Sequence, residues 1–233
     1  MKKRIETLAD GVTLYLGDCL EILPTLPKHD ALVTDPPYGM AYISNYRTIR
    51  HRGIHGDGDN KLLWSAIDYG AQHSKYVFCR WDNLASIAPP KSCITWVKNN
   101  WSMGDLSHEH GRQTELILFY PGPEHMFPGN RPADVIYAAR TQNIYHPTEK
   151  PIDLMEKIIS WTAGGIIDPF MGSGTTGVAA VKMGRKFTGI EISERYFDIA
   201  VRRIQDALDR PDMLIEAEAK PVQINLILQE GHK

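Results

Sequence analysis

Cysteine is scarce in this chain: Cys19, Cys79 and Cys93 are the only three in 233 residues. An odd and widely spaced set offers neither a disulfide framework nor metal-ligand spacing, so the thiols read as free ones in a reducing compartment. No apolar run is long enough to span a bilayer, and Met1-Lys2-Lys3-Arg4-Ile5-Glu6 is not followed by the apolar core of a secretion signal. The cytoplasm is the expected location. An excess of positive charge is also missing. A formal net charge of −2 excludes binding of nucleic acid through a global field. From Gly189 onward nine acids face six bases, leaving 19 acids against 20 bases before it, so a nucleic-acid partner would need a local basic patch. Repeats, low-complexity tracts and a clear linker are absent as well. What remains, 42% hydrophobic and 23% charged residues, is the composition of one globular domain with a substantial core.

Along the chain, strands and helices alternate. Val12–Gly17 reads as a strand, Cys19–Leu26 as a short helix, and Asp30–Thr34 as a buried strand halted by Pro36 and Pro37. Residues 39–60 read as an exposed loop. A helix near 61–73 and strands at Tyr76–Cys79, Ser92–Val97 and Glu115–Tyr120 follow, and residues 121–145 read as a loop or small insert. Pro151 suits the first position of a helix running to about Thr162. Gly165–Asp168 reads as a buried strand, Thr175–Met183 as a helix closed by Gly184, and Lys186–Ile192 as another strand. Phe197, Val201, Ile204 and Leu208 form the apolar side of a last helix with Ser193 as N-cap, and Val222–Leu228 fits a strand or an arm. Such alternation predicts an α/β sandwich around a largely parallel sheet in a single domain.

Two segments carry chemistry. In Asp168-Pro-Phe-Met-Gly172-Ser-Gly174-Thr-Thr-Gly177, glycines between a strand and a helix allow a tight turn and close approach of a ligand. A second strand delivers Glu191 23 residues after Asp168, where a carboxylate can accept the hydroxyls of a ribose. The pair reads as a site for an adenosine-containing cofactor. Gly172-x-Gly174-x-x-Gly177 also matches the dinucleotide fingerprint, so a nicotinamide-dependent oxidoreductase is a competing reading. Against it stand Asp168-Pro169 in place of a hydrophobic lead-in and only 42 residues after Glu191 for a second mononucleotide half.

The other segment is Asp35-Pro36-Pro37-Tyr38 at the end of a buried strand. An exocyclic amine is a poor nucleophile because its lone pair is delocalised into the ring. Acceptors that hold both amine hydrogens and draw the nitrogen toward sp3 geometry relieve this. Asp35 supplies a carboxylate and Pro36 a carbonyl that no ladder uses, while the prolines stiffen the corner. Tyr38 can stack on a base extruded from a duplex, a contact worth on the order of 1–3 kcal/mol.

Taken together, these residues resemble the permuted, β-class amino-methyltransferases of DNA, in which the Asp-Pro-Pro-Tyr motif precedes the cofactor motif, as Asp35–Tyr38 precedes Asp168–Gly177 here. His146-Pro-Thr-Glu-Lys-Pro151, Gly17-Asp18-Cys19, Trp96-Val-Lys98 and Arg112-Gln-Thr-Glu115 also fit the family's pattern, over roughly residues 12–210. The resemblance implies a three-layer sandwich with a Rossmann-like methyltransferase sheet in circularly permuted motif order. Its catalytic half would span about 12–120, a small target-recognition insert about 99–145, the cofactor half about 146–210 and a tail 211–233. It implies S-adenosyl-L-methionine as cofactor, contacted by Asp18, Thr148, Lys150, Asp168, Phe170, Gly172, Gly174, Thr175 and Glu191. Asp18 would lie near the adenine, with Thr148 and Lys150 near the methionine end and the lysine matching its carboxylate. It implies transfer to N6 of adenine in DNA by Asp35, Pro36, Pro37 and Tyr38. N4 of cytosine is the alternative, served more often by relatives whose corner begins with Ser. Many relatives are homodimers, and restriction–modification is the usual setting. A binding-only protein on this fold is a further reading that the intact site disfavours.

Basic residues near the corner are candidates for phosphate contacts: Arg47, Arg50 and Arg52, joined by His51 and His55, and further along Lys98, Arg112, Arg131 and Arg140. His108 and His110 flank Glu109 without a third spaced ligand, so no metal is expected.

Overall fold

The computed structural model describes residues 4–37, 61–101, 107–108, 110–141 and 149–210. Nine strands form one sheet: β1 (Arg4–Ala9), β2 (Val12–Leu16), β3 (Ala31–Thr34), β4 (Ser74–Cys79), β5 (Ser92–Val97), β6 (Thr114–Pro121), β7 (Val135–Tyr137), β8 (Ile166–Asp168) and β9 (Phe187–Glu191). Their order is β1-β2-β9-β8-β3-β4-β6-β5-β7. Pairings from β2 through β4 are parallel, as is β5 with β7, whereas β1 and β6 run against their neighbours. The sheet is therefore mixed and mostly parallel, as expected.

Among the described residues five helices flank it: α1 (Cys19–Ile22), α2 (Lys61–Asp68), α3 (Ile152–Ser160), α4 (Thr175–Lys182) and α5 (Glu194–Asp209). Side chains alternate across a strand, so each strand feeds two cores. Ala31, Val33, Tyr76, Phe78, Ile166 and Phe187 point into a cluster with Leu154, Ile158, Val178, Phe197 and Ile204 of α3, α4 and α5. Leu32, Val77, Cys79, Ile167 and Ile190 point the other way, against Ile22 of α1 and Leu63, Ala66 and Ile67 of α2. Three layers result. Among the described residues, no helix is long and apolar enough to cross a membrane.

Several boundaries differ from expectation, each for a local reason. The helix expected over Cys19–Leu26 becomes α1 followed by a 3-10 turn, Leu23–Thr25. Pro24 has no N–H to continue the α ladder. Pro151 is the N-cap of α3, at ψ 142°, rather than its first helical residue. Helix α2 stops at Asp68, short of residue 73, and β4 begins at Ser74. Two strands are additional. β1 pairs with β2 and is tied to α5 by Arg4, which bonds Asp198 and lies with Cζ 4.6 Å from the Phe197 ring centroid. β7, inside the stretch expected to be loop, is a three-residue edge strand pairing with β5. Val222–Leu228, the loop of residues 39–60, Tyr38, Arg47, Arg50, Arg52 and Thr148 lie outside the described residues.

The order of strands reverses between β8 and β3. From β8 the chain crosses by α4 to β9 on one side, and from β3 it crosses by α2 to β4 on the other. A crevice opens at such a switch point, outside the carboxyl ends of the strands. The entry side is fixed by Asp30, whose carboxylate accepts from Gly165 N at 2.6 Å. Gly164 stands beside it at φ 60°, where a Cβ would come 1.8 Å from Asp30 Oδ2. Gly164→Ala should lower stability by about 1–3 kcal/mol. Gly184→Ala, at φ 66° with open space around it, should cost clearly less. Urea midpoints of the two variants against the parent check the difference.

Candidate active site

At the switch point the two motifs meet. Thr34, the last residue of β3, donates its hydroxyl to Asp168 Oδ1 at 2.6 Å. Phe170 N donates to the same oxygen at 3.0 Å, and the Thr176 hydroxyl to Oδ2 at 2.6 Å. Asp168 is only 2% exposed and spends its carboxylate on these bonds, joining the corner, the glycine loop and α4. Burial pushes its pKa up to about 6, against the pull of the Thr176, Thr34 and Phe170 donors.

On the other side of the loop, Glu191 ends β9. Its carboxylate accepts from Gly172 N at 2.9 Å and from Ser193 N at 2.7 Å. Burial raises its pKa to about 7 despite these N–H donors. Gly17 N bonds the Glu191 carbonyl at 2.9 Å, which puts Asp18 on the same edge. The Asp18 side chain caps α1 by accepting from Leu20 N at 2.9 Å. Gly172 and Gly174 have φ of 53° and 86°, conformations that favour glycine. The need for glycine at 174 comes partly from packing: a Cβ there would lie 2.9 Å from that of Ala200 on α5. At Gly177 the obstacles are Ile204 and Phe187, so that glycine serves helix packing. Phe170 packs on the α1/α2 cluster, and Thr175 is buried at the start of α4.

The corner, Asp35-Pro36-Pro37, follows β3 directly. Lys150 was expected at the cofactor carboxylate. Its ammonium instead lies 2.7 Å from Asp35 Oδ2 and 3.0 Å from Glu115 Oε2. Lys98 was expected at nucleic acid, yet it is 7% exposed and its ammonium lies 2.6 Å from Glu115 Oε1. A charge buried against a carboxylate is not presented to a phosphate. Arg112, Arg131 and Arg140 remain exposed. Beyond β5, Trp101 is 65% exposed and sits over Gly111.

Two residues of the site had no role in the sequence reading. Glu115 lies between two lysines, and Arg203 of α5 reaches the glycine loop. The Arg203 guanidinium donates to the Ser173 carbonyl and hydroxyl, each at 2.9 Å, and pairs with Glu149 Oε1 at 2.8 Å. It thus joins the loop to the segment that carries Lys150. The signal for Arg203 was a base flanking the apolar stripe of α5. For Glu115 it was an acid opening a strand otherwise apolar.

A family profile described as DNA methylase, the N6/N4 methyltransferases, matches residues 29–202. The chain is 29% identical over 252 residues to the Type II methyltransferase M.ScaI of Streptomyces caespitosus, covering 83% of this chain and 81% of that one. It is 31% identical over 160 residues to the DNA adenine methyltransferase YhdJ of Escherichia coli, covering 64% and 52%. The crystal structure of the M1.HpyAVI–SAM complex is similar at a TM-score of 0.61 and 30% identity, over 82% of this chain and 98% of that chain. The chain belongs to the DNA methylase family. That membership, rather than the glycine loop alone, decides against a nicotinamide-dependent oxidoreductase.

The two raised carboxyl groups have a consequence for stability. Each binds its proton more tightly folded than unfolded, so each destabilises the ligand-free protein as pH climbs from its ordinary value, 3.8 or 4.5, to about 6 for Asp168 and about 7 for Glu191. His29 and His125, whose pKa burial lowers, pull the other way. A difference between variants isolates the effect. The stability of Glu191→Gln relative to the parent should improve steadily from pH 4.5 to pH 7, read from denaturant midpoints across that range.

Proposed function

We propose that this chain transfers the methyl group of S-adenosyl-L-methionine to N6 of an adenine extruded from DNA. One observation carries the proposal: the Asp35 corner and the glycine loop open on the same edge of the sheet, held together by the 2.6 Å bond from Thr34 to Asp168. An amine held at the first is then beside a ligand held by the second, and in-line positioning is the main source of rate for such a transfer.

The donor set suits the cofactor. Glu191 is a buried carboxylate whose bonds within the described residues come from two backbone N–H groups. A carboxylate has about four lone-pair positions, so acceptor capacity remains for the neutral hydroxyls of a ribose. When bound, the cofactor supplies a sulfonium-activated methyl group. The residues of the chain do the rest. Gly172, Gly174, Thr175 and Phe170 shape the cofactor's seat, with Asp18 on its far side. Asp35 and the Pro36 carbonyl take the two amine hydrogens, Pro37 stiffens the turn, and Tyr38 stacks on the base. The nitrogen becomes acidic once methylated and gives up a proton without a strong base.

Asp35 at the head of the corner, and the similarity to an adenine methyltransferase, support adenine over cytosine N4. Exposed Arg112 and Arg131 are the described candidates for the phosphate backbone, with Arg47, Arg50 and Arg52 proposed from sequence. The whole chain is proposed as one methyltransferase domain with its motifs in permuted order. The resemblance extends this to a cytoplasmic homodimer in a restriction–modification setting, which sedimentation would check.

Asp35→Ala should reduce methyl transfer by on the order of 100-fold or more while leaving cofactor affinity in place. Equal loss of both would refute the division of roles. Glu191→Ala should weaken cofactor binding first, as measured by titration calorimetry. Nucleosides from treated DNA, analysed by mass, should contain N6-methyladenine, whereas N4-methylcytosine would move the assignment to the other base.

A further inference from the structure

We infer that Glu115 and Lys98 are positioning residues for Asp35, holding the Lys150 ammonium against its carboxylate through a chain of alternating charge whose two lysines are buried and whose two acids are half-buried. The inference rests on the proposed role of Asp35. Four side chains from four parts of the fold form the chain. Asp35 follows β3, Lys150 precedes α3, Glu115 is the second residue of β6, and Lys98 follows β5. Successive N···O separations are 2.7, 3.0 and 2.6 Å. Both ammonium groups lie over aromatic rings, Lys150 at 4.8 Å from the Phe78 centroid and Lys98 at 5.0 Å from that of Trp96.

Buried ion pairs are poor devices for stability, because desolvation offsets their attraction. A four-membered chain that ends on the carboxylate of the corner calls for a different reason. Glu115 tolerates burial because Lys150 and Lys98 outweigh the desolvation that would raise its pKa, taking it down to about 2. Lys150 is likewise held charged against burial by Asp35 and Glu115. Lys98 is pushed down by burial, with Glu115 opposing that shift. The other groups facing the chain are Arg140, which acts on Lys98, and Asp168 and Cys79, which feel the charge of Asp35. Two negative and two positive charges balance. One oxygen of Asp35 is therefore fixed on Lys150, and its orientation is set before a base arrives.

The test is a charge cycle on the intact protein. Lys98→Met leaves the chain with excess negative charge and should raise the apparent pKa of Asp35, moving the acid limb of the kcat–pH profile up by about one unit. Glu115→Gln leaves excess positive charge and should bring the alkaline limb down, as Lys150 gives up its proton sooner. Glu115→Gln with Lys98→Met restores the balance and should return both limbs toward the parent, with cofactor affinity unchanged throughout. A packing defect would deepen in the double variant instead. The Asp35 carboxyl carbon, titrated by NMR in the ligand-free protein, should move up in Lys98→Met and down in Glu115→Gln. This readout needs no turnover, so it separates failure of the inference from failure of the methyl-transfer reading. If Glu115→Gln does not fold, Lys98→Met alone decides. An Asp35 titration unmoved in Lys98→Met, or no recovery in a folded double variant, overturns the proposal.

Discussion

The Thr34–Asp168 hydrogen bond is the constraint on which the site depends. Its partners lie 134 residues apart in sequence and end adjacent parallel strands. Parallel pairing brings β3 and β8 side by side, but the ladder covers only Ala31↔Ile166 and Leu32↔Ile167 and ends before either motif begins. Beyond the ladder, backbone hydrogen bonds no longer fix how the two chains diverge. A buried hydroxyl and a buried carboxylate then do so, and the remaining lone pairs of Asp168 tie in the glycine loop and α4. The corner on one side and the loop on the other inherit their mutual distance from this one junction.

Most of the architecture is legible in the sequence, and what is short or long-range is not. Strands β2, β3, β8 and β9 were legible because each is a compact apolar run closed by Gly, Pro or an acid. Helix α5 was legible from the spacing of Phe197, Val201, Ile204 and Leu208. β1 was hidden by its charges, since Arg4 and Glu6 sit on an edge strand and Arg4 is used on α5. β7 was hidden by brevity: Val135-Ile136-Tyr137 buries only its middle residue. In the candidate site, residue types and spacing single out Asp35, Gly172 and Glu191. Their partners are not legible there. Which groups hold the Lys150 ammonium on Asp35 depends on where the ends of β5 and β6 fall, and no local pattern encodes that. Lys98, expected at nucleic acid, and Lys150, expected at the cofactor carboxylate, both face acids of the protein itself.

Burial of acids gives the site its character. Among the described residues, Asp168 and Glu191 accept hydrogen bonds from hydroxyls and amides rather than from cations, so each is held at a cost to the ligand-free fold. Glu115 is half-buried but sits between ammonium groups and ionises readily. Two electrostatic regimes thus share one edge of the sheet: a compensated chain of charges under the corner and uncompensated carboxylates around the loop. The second suits a ligand that brings hydroxyls and positive charge of its own.

Strand order has a consequence for how the molecule is made. β2 and β3 are consecutive in the chain, yet β9 and β8 stand between them in the sheet. A ribosome releases the flanks of this gap well before the two strands that fill it. Until then the emerging polypeptide carries two unmated β-edges and an apolar slot two strands wide. High contact order of this kind slows folding and exposes the nascent chain to mispairing. The edge that carries the corner and the glycine loop therefore cannot be complete before β8, α4 and β9 are in place.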